Sequence, residues 1–230
     1  MDAGREERIS SLVTAVQRGL DAHADPDYVA GTVAARHPGK PVLGVRIPLL
    51  RGAVEAALKA DRVTGADRDV VLWAADALWH GRTHEEELAA AKMVRSTRLT
   101  LPAGMILRWA PLLDNWLSVD ELGAVVGIGM AVDPGMLDEL VVLAVSESPW
   151  QRRLYVVSLI TPVKEGMSPA DIPGLAPLLA ESLPPVRKAA VWLIKEALKA
   201  RGSEAAREFR TAVPGAEPKP LVRLLDAALT

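Results

Sequence analysis

The residues best suited to chemistry are an acid and two indoles. Trp116 and Asp120 stand four apart, while Val119, Leu122, Val125 and Val126 fall on the other side of the same helical wheel. A helix over 116–131 therefore sets ring and carboxylate together on a face turned from the core. Gly123 and Gly127 continue that face, which either admits a backbone or ligand closely or seats a neighbouring helix over the glycines. Ser118 and Glu121 also fit a capping box that would start the helix later, so its register stays open. The second indole is Trp192. In 184–201 the apolar stripe is Val186, Ala190, Leu193, Ile194 and Ala197, and Trp192 lies well over a right angle away with Lys188, Lys195 and Lys199 as face-neighbours. Such a ring is either working surface or a ring covered by another helix with lysine stems around it. Trp150 shares a face with Leu154 and Val157 and reads as core, and Trp73, Trp79 and Trp109 read as packing residues.

Several other chemistries are excluded or weak. There is no Cys, hence no disulfide, thiolate metal site or cysteine nucleophile. His80 and His84 have the spacing of helical metal ligands, but Gly81 and Thr83 interrupt the helix and no third ligand is near, so no metal and no cofactor are expected. His23 and His37 are isolated, and no GxSxG, P-loop or GxGxxG string is present.

These residues must be positioned by helices. Strand signals are nearly absent, whereas helical periodicity predicts segments near 5–20, 26–37, 46–60, 66–80, 84–97, 103–110, 116–131, 133–146, 149–161, 169–182, 184–201, 203–212 and 219–229. Pro134 is expected at the first turn of the helix after Asp133. Short Pro- or Gly-bearing links join most segments, as in antiparallel helix pairs. At an offset of 35 residues, Pro149 falls on Pro184, Arg152 and Arg153 on Arg187 and Lys188, and Leu154 on Ala189; the helix near Trp116 lies about one interval upstream. Repeats of that length stack as helix pairs whose second helices line one surface. The expected fold is all-α, with helical repeats stacked into a curved solenoid, in a single domain over 1–230.

Composition agrees with one sizeable core: 230 residues, half of them apolar. A charged start where a secretory segment would be apolar, and the absence of a bilayer-length apolar run, lead to the expectation of a cytoplasmic, non-membrane protein, monomeric. The net charge of −2 argues against a protein living by nonspecific phosphate attraction, yet charge is uneven. Of 29 acidic residues 14 precede position 92; Lys92 to Arg108 holds four basic residues and no acid; Gln151 to Arg201 holds eight basic against four acidic. Arg outnumbers Lys by 19 to 8, as in GC-rich genomes.

Four strings, Gly44-Val45-Arg46-Ile47-Pro48-Leu49-Leu50-Arg51, Asn115-Trp116-Leu117-Ser118-Val119-Asp120, Trp150-Gln151-Arg152-Arg153 and Lys188-Ala189-Ala190-Val191-Trp192, resemble in order and spacing the AlkD-type alkylpurine DNA glycosylases of the HEAT-like repeat DNA alkylation repair family. The resemblance implies HEAT-like helix pairs with a concave face that holds duplex DNA. It implies Trp116, Asp120 and Trp192 as catalytic residues and Arg153, with Arg152 the second register, as the phosphate contact. Arg187, Lys188, Lys195 and Arg51 are the further DNA-binding candidates. Pro184 and Pro185 stand where some relatives carry aromatic residues, and the segment ahead of Gly44 is longer than usual.

The chemistry so implied is hydrolysis of the N-glycosidic bond of N3- or N7-alkylated purines in double-stranded DNA, with the lesion left stacked rather than flipped. The alkylated base is already cationic, so the enzyme need only stabilise positive charge on the sugar and present water. A carboxylate and two electron-rich ring faces suit that task, and the start of its helix would keep Asp120 ionised. Residue usage and resemblance together extend the expectation to bulky adducts of a DNA-alkylating natural product, removed as self-resistance, and to association with the nucleoid. The alternative is a noncatalytic HEAT-like scaffold binding DNA structure or a protein partner through the same face.

Overall fold

The computed structural model describes residues 3–212 and 219–229. Among these the chain is all-α, without a strand, and is built of HEAT-like helical repeats. Contacts gather residues 1–101 and 102–230 into two compact units.

The first unit holds α1 (Ala3–Asp21), α2 (Pro26–Arg36), α3 (Ile47–Ala60), α4 (Arg68–Trp79) and α5 (His84–Ser96). Helix α1 buries Leu12, Val16 and Leu20, one per turn, against α3 and α4, and α5 closes on both. The starts are written in the sequence. Asp25 caps α2 through the Asp27 N–H ahead of Pro26. Thr83 and Glu86 form a reciprocal capping box on α5, with the Thr83 N–H donating to Glu86 Oε2 at 2.7 Å. Burial raises the Glu86 carboxyl, but its hydrogen bonds from Gln17 and Thr83 leave it below its ordinary value. The buried Glu85 carboxylate accepts from the N–H groups of Leu43, Gly44 and Val45, tying the segment before α3 to α5. Gly44 has φ 81, and a Cβ there would sit 2.2 Å from the Asp25 carbonyl oxygen, so only glycine fits.

The second unit holds α6 (Ala103–Trp109), α7 (Trp116–Val132), α8 (Met136–Leu140), α9 (Pro149–Ser158), α10 (Ile160–Lys164), α11 (Leu175–Leu179), α12 (Pro184–Arg201), α13 (Ser203–Ala212) and α14 (Lys219–Leu229). Helix α9 lies between α7 and α12, and α10 also touches both. Both α9 and α12 begin at the prolines that define the 35-residue offset, where a missing N–H costs nothing.

Three predicted helices are broken. The segment 133–146 becomes α8 followed by a 3-10 turn at Val141–Val145, and Pro134 sits in the turn ahead of α8 rather than in its first turn. The segment 149–161 kinks at Leu159, because Pro162 has no N–H to continue the ladder to Ser158. The segment 169–182 is cut by Pro173 and Gly174, the latter at φ 72, and the freed Pro173 carbonyl accepts from the Tyr155 hydroxyl at 2.7 Å. Trp79 and Trp109 are fully buried, as expected of packing residues, but Trp73 is 44% exposed, because Asp69, Trp73 and Ala77 share the outer face of α4.

Candidate nucleic-acid and catalytic site

Asn115 decides the register of α7. Its buried side chain accepts from the N–H groups of Leu117 and Ser118 at 3.1 and 3.0 Å, so the helix begins at Trp116 and the later capping box does not form. Trp116 and Asp120 consequently lie one turn apart on a helical face. The rest of that face is not open. A Cβ on Gly123 would meet Val157 at 2.6 Å, and one on Gly127 the Ser158 carbonyl oxygen at 2.6 Å, so the glycines seat α9. Close approach of α9 brings Arg153, one turn before Val157, onto Asp120.

There the guanidinium makes a two-pronged contact, Nε donating to Asp120 Oδ1 at 3.0 Å and Nη2 to Oδ2 at 2.9 Å, while Nη1 donates to the Pro185 carbonyl at 2.7 Å. One side chain thus joins α7, α9 and the start of α12. The arginine side chain is 8% exposed and the aspartate 18%. Burial pushes the Asp120 carboxyl above its ordinary value; the Arg153 bonds pull it back without reversing that, and Glu121 adds a small upward push. The expected support from the helix start is missing because Asp120 belongs to the second turn, beyond the reach of the terminal dipole. Arg153 is the counter-charge instead.

A hollow of about 320 Å³ opens beside this pair, lined by Trp116, Trp150, Arg153, Pro184, Pro185 and Lys188. Trp150, read from its wheel as core, is only half-buried and forms part of the wall. The signal was its own neighbour three residues on, Arg153. Trp116 and Trp192 are 40% and 37% exposed, while the stripes opposite them, Val119 to Val126 and Val186 to Ala197, are buried. Trp192 lies one turn beyond Lys188 on α12 and does not line the hollow.

The remaining candidates differ in availability. Arg187, Lys188 and Lys195 are exposed on α12. Arg152 is engaged, with Nε and Nη2 on the Glu181 carboxylate at 2.9 and 2.7 Å, which raises its already high pKa further. Arg51 is exposed on α3 in the first unit, 4.0 Å from Glu55. His80 ends α4 and is exposed, whereas His84 opens α5 and is buried, so the pair does not share a helix. No group of three or more potential metal ligands occurs among the described residues, and no helix there is long and apolar enough to cross a membrane.

Fold and site define an all-α helical-repeat protein whose second unit carries two exposed indoles and a largely buried acid–arginine pair. Residues 16–212 match the family described as DNA alkylation repair enzyme, and the chain belongs to that family. No curated protein matched the chain significantly. Membership implies DNA as the partner and a role in the repair of alkylated DNA.

Proposed function

We propose that this protein is a DNA glycosylase of the AlkD type, hydrolysing the bond between deoxyribose C1′ and the ring nitrogen of N3- or N7-alkylated purines in duplex DNA. The observation that carries this reading is Asp120: a carboxylate oriented by Arg153 one turn from an exposed indole, in a chain of the alkylation-repair family. Alkylation has already made the base a cationic leaving group. As the bond breaks, its electron pair neutralises the base and positive charge develops on the sugar. Asp120 stabilises that charge across a poorly hydrated site, where such an interaction is strongest, and receives a proton from the attacking water as its oxygen bonds to C1′. A carboxyl raised by burial is the better acceptor for that step.

Trp116 and Trp192 present electron-rich faces to the sugar and backbone. Lys188, Lys195 and Arg187 hold phosphates, and Arg153 turns from Asp120 toward a phosphate when DNA arrives. The hollow walled by Trp116, Trp150, Pro184 and Pro185 leaves room for a substituent larger than methyl, which supports excision of a stacked lesion and of bulky adducts of a DNA-alkylating natural product, as self-resistance on the nucleoid in the cytoplasm.

The engagement of both Asp120 oxygens by Arg153 also fits a second reading, a noncatalytic scaffold in which the pair only pins three helices together. Incubation with duplex DNA carrying a defined N7-methylguanine or N3-alkyladenine separates the two. Release of the free alkylpurine, leaving an abasic site, is expected; intact lesion DNA after binding has been verified would favour the scaffold.

A further inference from the structure

Helices α3 and α5 end in the same unusual way. At the end of α3 the Arg62 N–H donates to Lys59 O at 3.1 Å and the Val63 N–H reaches back to Leu58 O at 3.1 Å. At the end of α5 the Arg98 N–H donates to Arg95 O at 3.1 Å and the Leu99 N–H to Val94 O at 3.3 Å. Both are left-handed terminations, with φ 52 at Arg62 and φ 56 at Arg98. Glycine is the usual residue at that position because an L side chain is strained there. This chain does place glycine at positive φ elsewhere, at Gly44, Gly166, Gly174 and Gly202. Two arginines nonetheless keep equivalent strained positions 36 residues apart.

Like Lys59 and Arg95 in the last turns, both arginines stand where the helix dipole favours a cation. What the arginines add is charge density. Lys59, Arg62, Arg95 and Arg98 are all exposed, and among the described residues no hydrogen bond or ion pair engages their side chains. Of the acids near them in sequence, Asp61 and Asp67 are held by Arg8 at 2.7 and 2.6 Å, and Glu55 lies 4.0 Å from Arg51. The two helix ends border one hollow of about 260 Å³, lined by Lys59, Val63, Thr64, Ser96, Thr97 and Leu99, and Arg62 and Arg98 each stand next to a lining residue in the chain. The run from Lys92 without an acid is the sequence trace of this patch.

We infer that the ends of α3 and α5 form a phosphate-binding patch that grips the DNA backbone through Arg62 and Arg98, in addition to the cations of α12. Strained, uncompensated guanidinium groups at two successive repeats suit a polyanion with regularly spaced charges, and membership in a DNA repair family supplies one. The inference does not depend on glycosylase chemistry.

The test is the double variant R62G/R98G in the full chain, measured by fluorescence anisotropy on undamaged duplex DNA across a salt series. Glycine relieves the strain, so the variant folds with an unchanged or raised Tm. Affinity is expected to fall roughly tenfold or more at about 0.1 M salt, with the slope of log K against log salt shallower by about 2, and R62K/R98K is expected to retain most of the binding. Unchanged affinity and slope in R62G/R98G would reduce both residues to helix caps and overturn the inference. Equal loss in R62K/R98K would overturn it too, by showing that charge is not what binds.

Discussion

Replacing Asp120 by Asn changes the charge of the central group and almost nothing of its size. Asparagine keeps one acceptor for Arg153 and turns the other oxygen into a donor facing a donor, so one prong of the contact is lost. A hydrogen bond to a charged group contributes about 1.5–3 kcal/mol. Opposing this, ionised Asp120 is a burdened group: burial holds its folded-state pKa above the unfolded value. A raised folded pKa contributes stability that is complete below the unfolded pKa and is lost as pH rises through the folded one, so at neutral pH the substitution removes a liability. The two effects oppose each other, and the net loss of stability is expected to stay below about 2 kcal/mol. Catalysis has no such compensation. Loss of one oriented electrostatic stabiliser lowers rates by about 10²–10³, or roughly 2.7–4 kcal/mol of barrier.

The assay is single-turnover release of alkylpurine from lesion-bearing duplex DNA, alongside binding to undamaged duplex and urea unfolding. D120N is expected to unfold near the wild-type midpoint and to bind DNA at least as tightly, because Arg153 is relieved of a competitor. It should excise orders of magnitude more slowly. The pH profile adds an independent reading. Under the proposed function excision needs the ionised acid, so wild-type excision is expected to fall on acidification at a pH above that of a free carboxylate, and D120N is expected to lack that limb. Equal excision by D120N and wild type would remove the assignment of Asp120. Collapsed DNA binding with intact folding would instead place Asp120 in the binding surface and refute the argument that Arg153 is shared between acid and phosphate.

Three further substitutions and one control probe the arrangement. Arg153→Ala strands a carboxylate that is largely buried; a loss of about 3–5 kcal/mol in urea unfolding is expected, with weaker DNA binding and a salt slope shallower by about 1, and an unchanged midpoint would contradict the helix-joining role. Trp192→Ala removes a part-exposed ring, so its Tm should barely move, while excision should drop roughly two- to thirtyfold if the ring contributes about 0.5–2 kcal/mol by cation–π attraction; wild-type excision would exclude it from the chemistry. Gly127→Ala drives a methyl into the Ser158 carbonyl, and is expected to cost about 1–3 kcal/mol and to lower excision by displacing α9; Gly52→Ala, which meets nothing within 4 Å on α3, should instead gain about 0.5–1 kcal/mol.

The contrast between what was legible and what was not follows the range of each interaction. The apolar stripes of α7 and α12 are properties of one helix, and a wheel is enough to turn Trp116 and Trp192 outward. Prolines at 149 and 184 start helices by their own local chemistry. Failures began where a local rule met a tertiary one. Pro173 and Gly174 break a periodic segment because the left-handed turn packs against Ala144 and frees a carbonyl for Tyr155. Trp150 carries a face with Leu154 on one side and Arg153 on the other, and only the position of α12 reveals that the ring walls a hollow. The Gly123–Gly127 face left two outcomes open in the sequence, and the choice between them was made by α9.

That choice bears directly on the chemistry. Had the glycines stayed bare, Asp120 would stand in water, where opposite charges at contact are worth only about 1 kcal/mol and an acid has little to give a developing cation. Seating α9 on them dehydrates the carboxylate, and dehydration alone would favour its neutral form; Arg153, carried by the same helix, opposes that shift and aims both oxygens. The packing that strengthens the electrostatic pull of the carboxylate therefore also brings the cation that restrains it. Under the proposed function an incoming phosphate competes for that cation, so DNA binding would release Asp120 to act, and the dependence would be reciprocal: whatever strengthens the Asp120–Arg153 pair would weaken the grip on DNA by the same factor. A variant in which the carboxylate is neutralised should move DNA affinity and excision in opposite directions, an outcome that a purely structural pair does not produce.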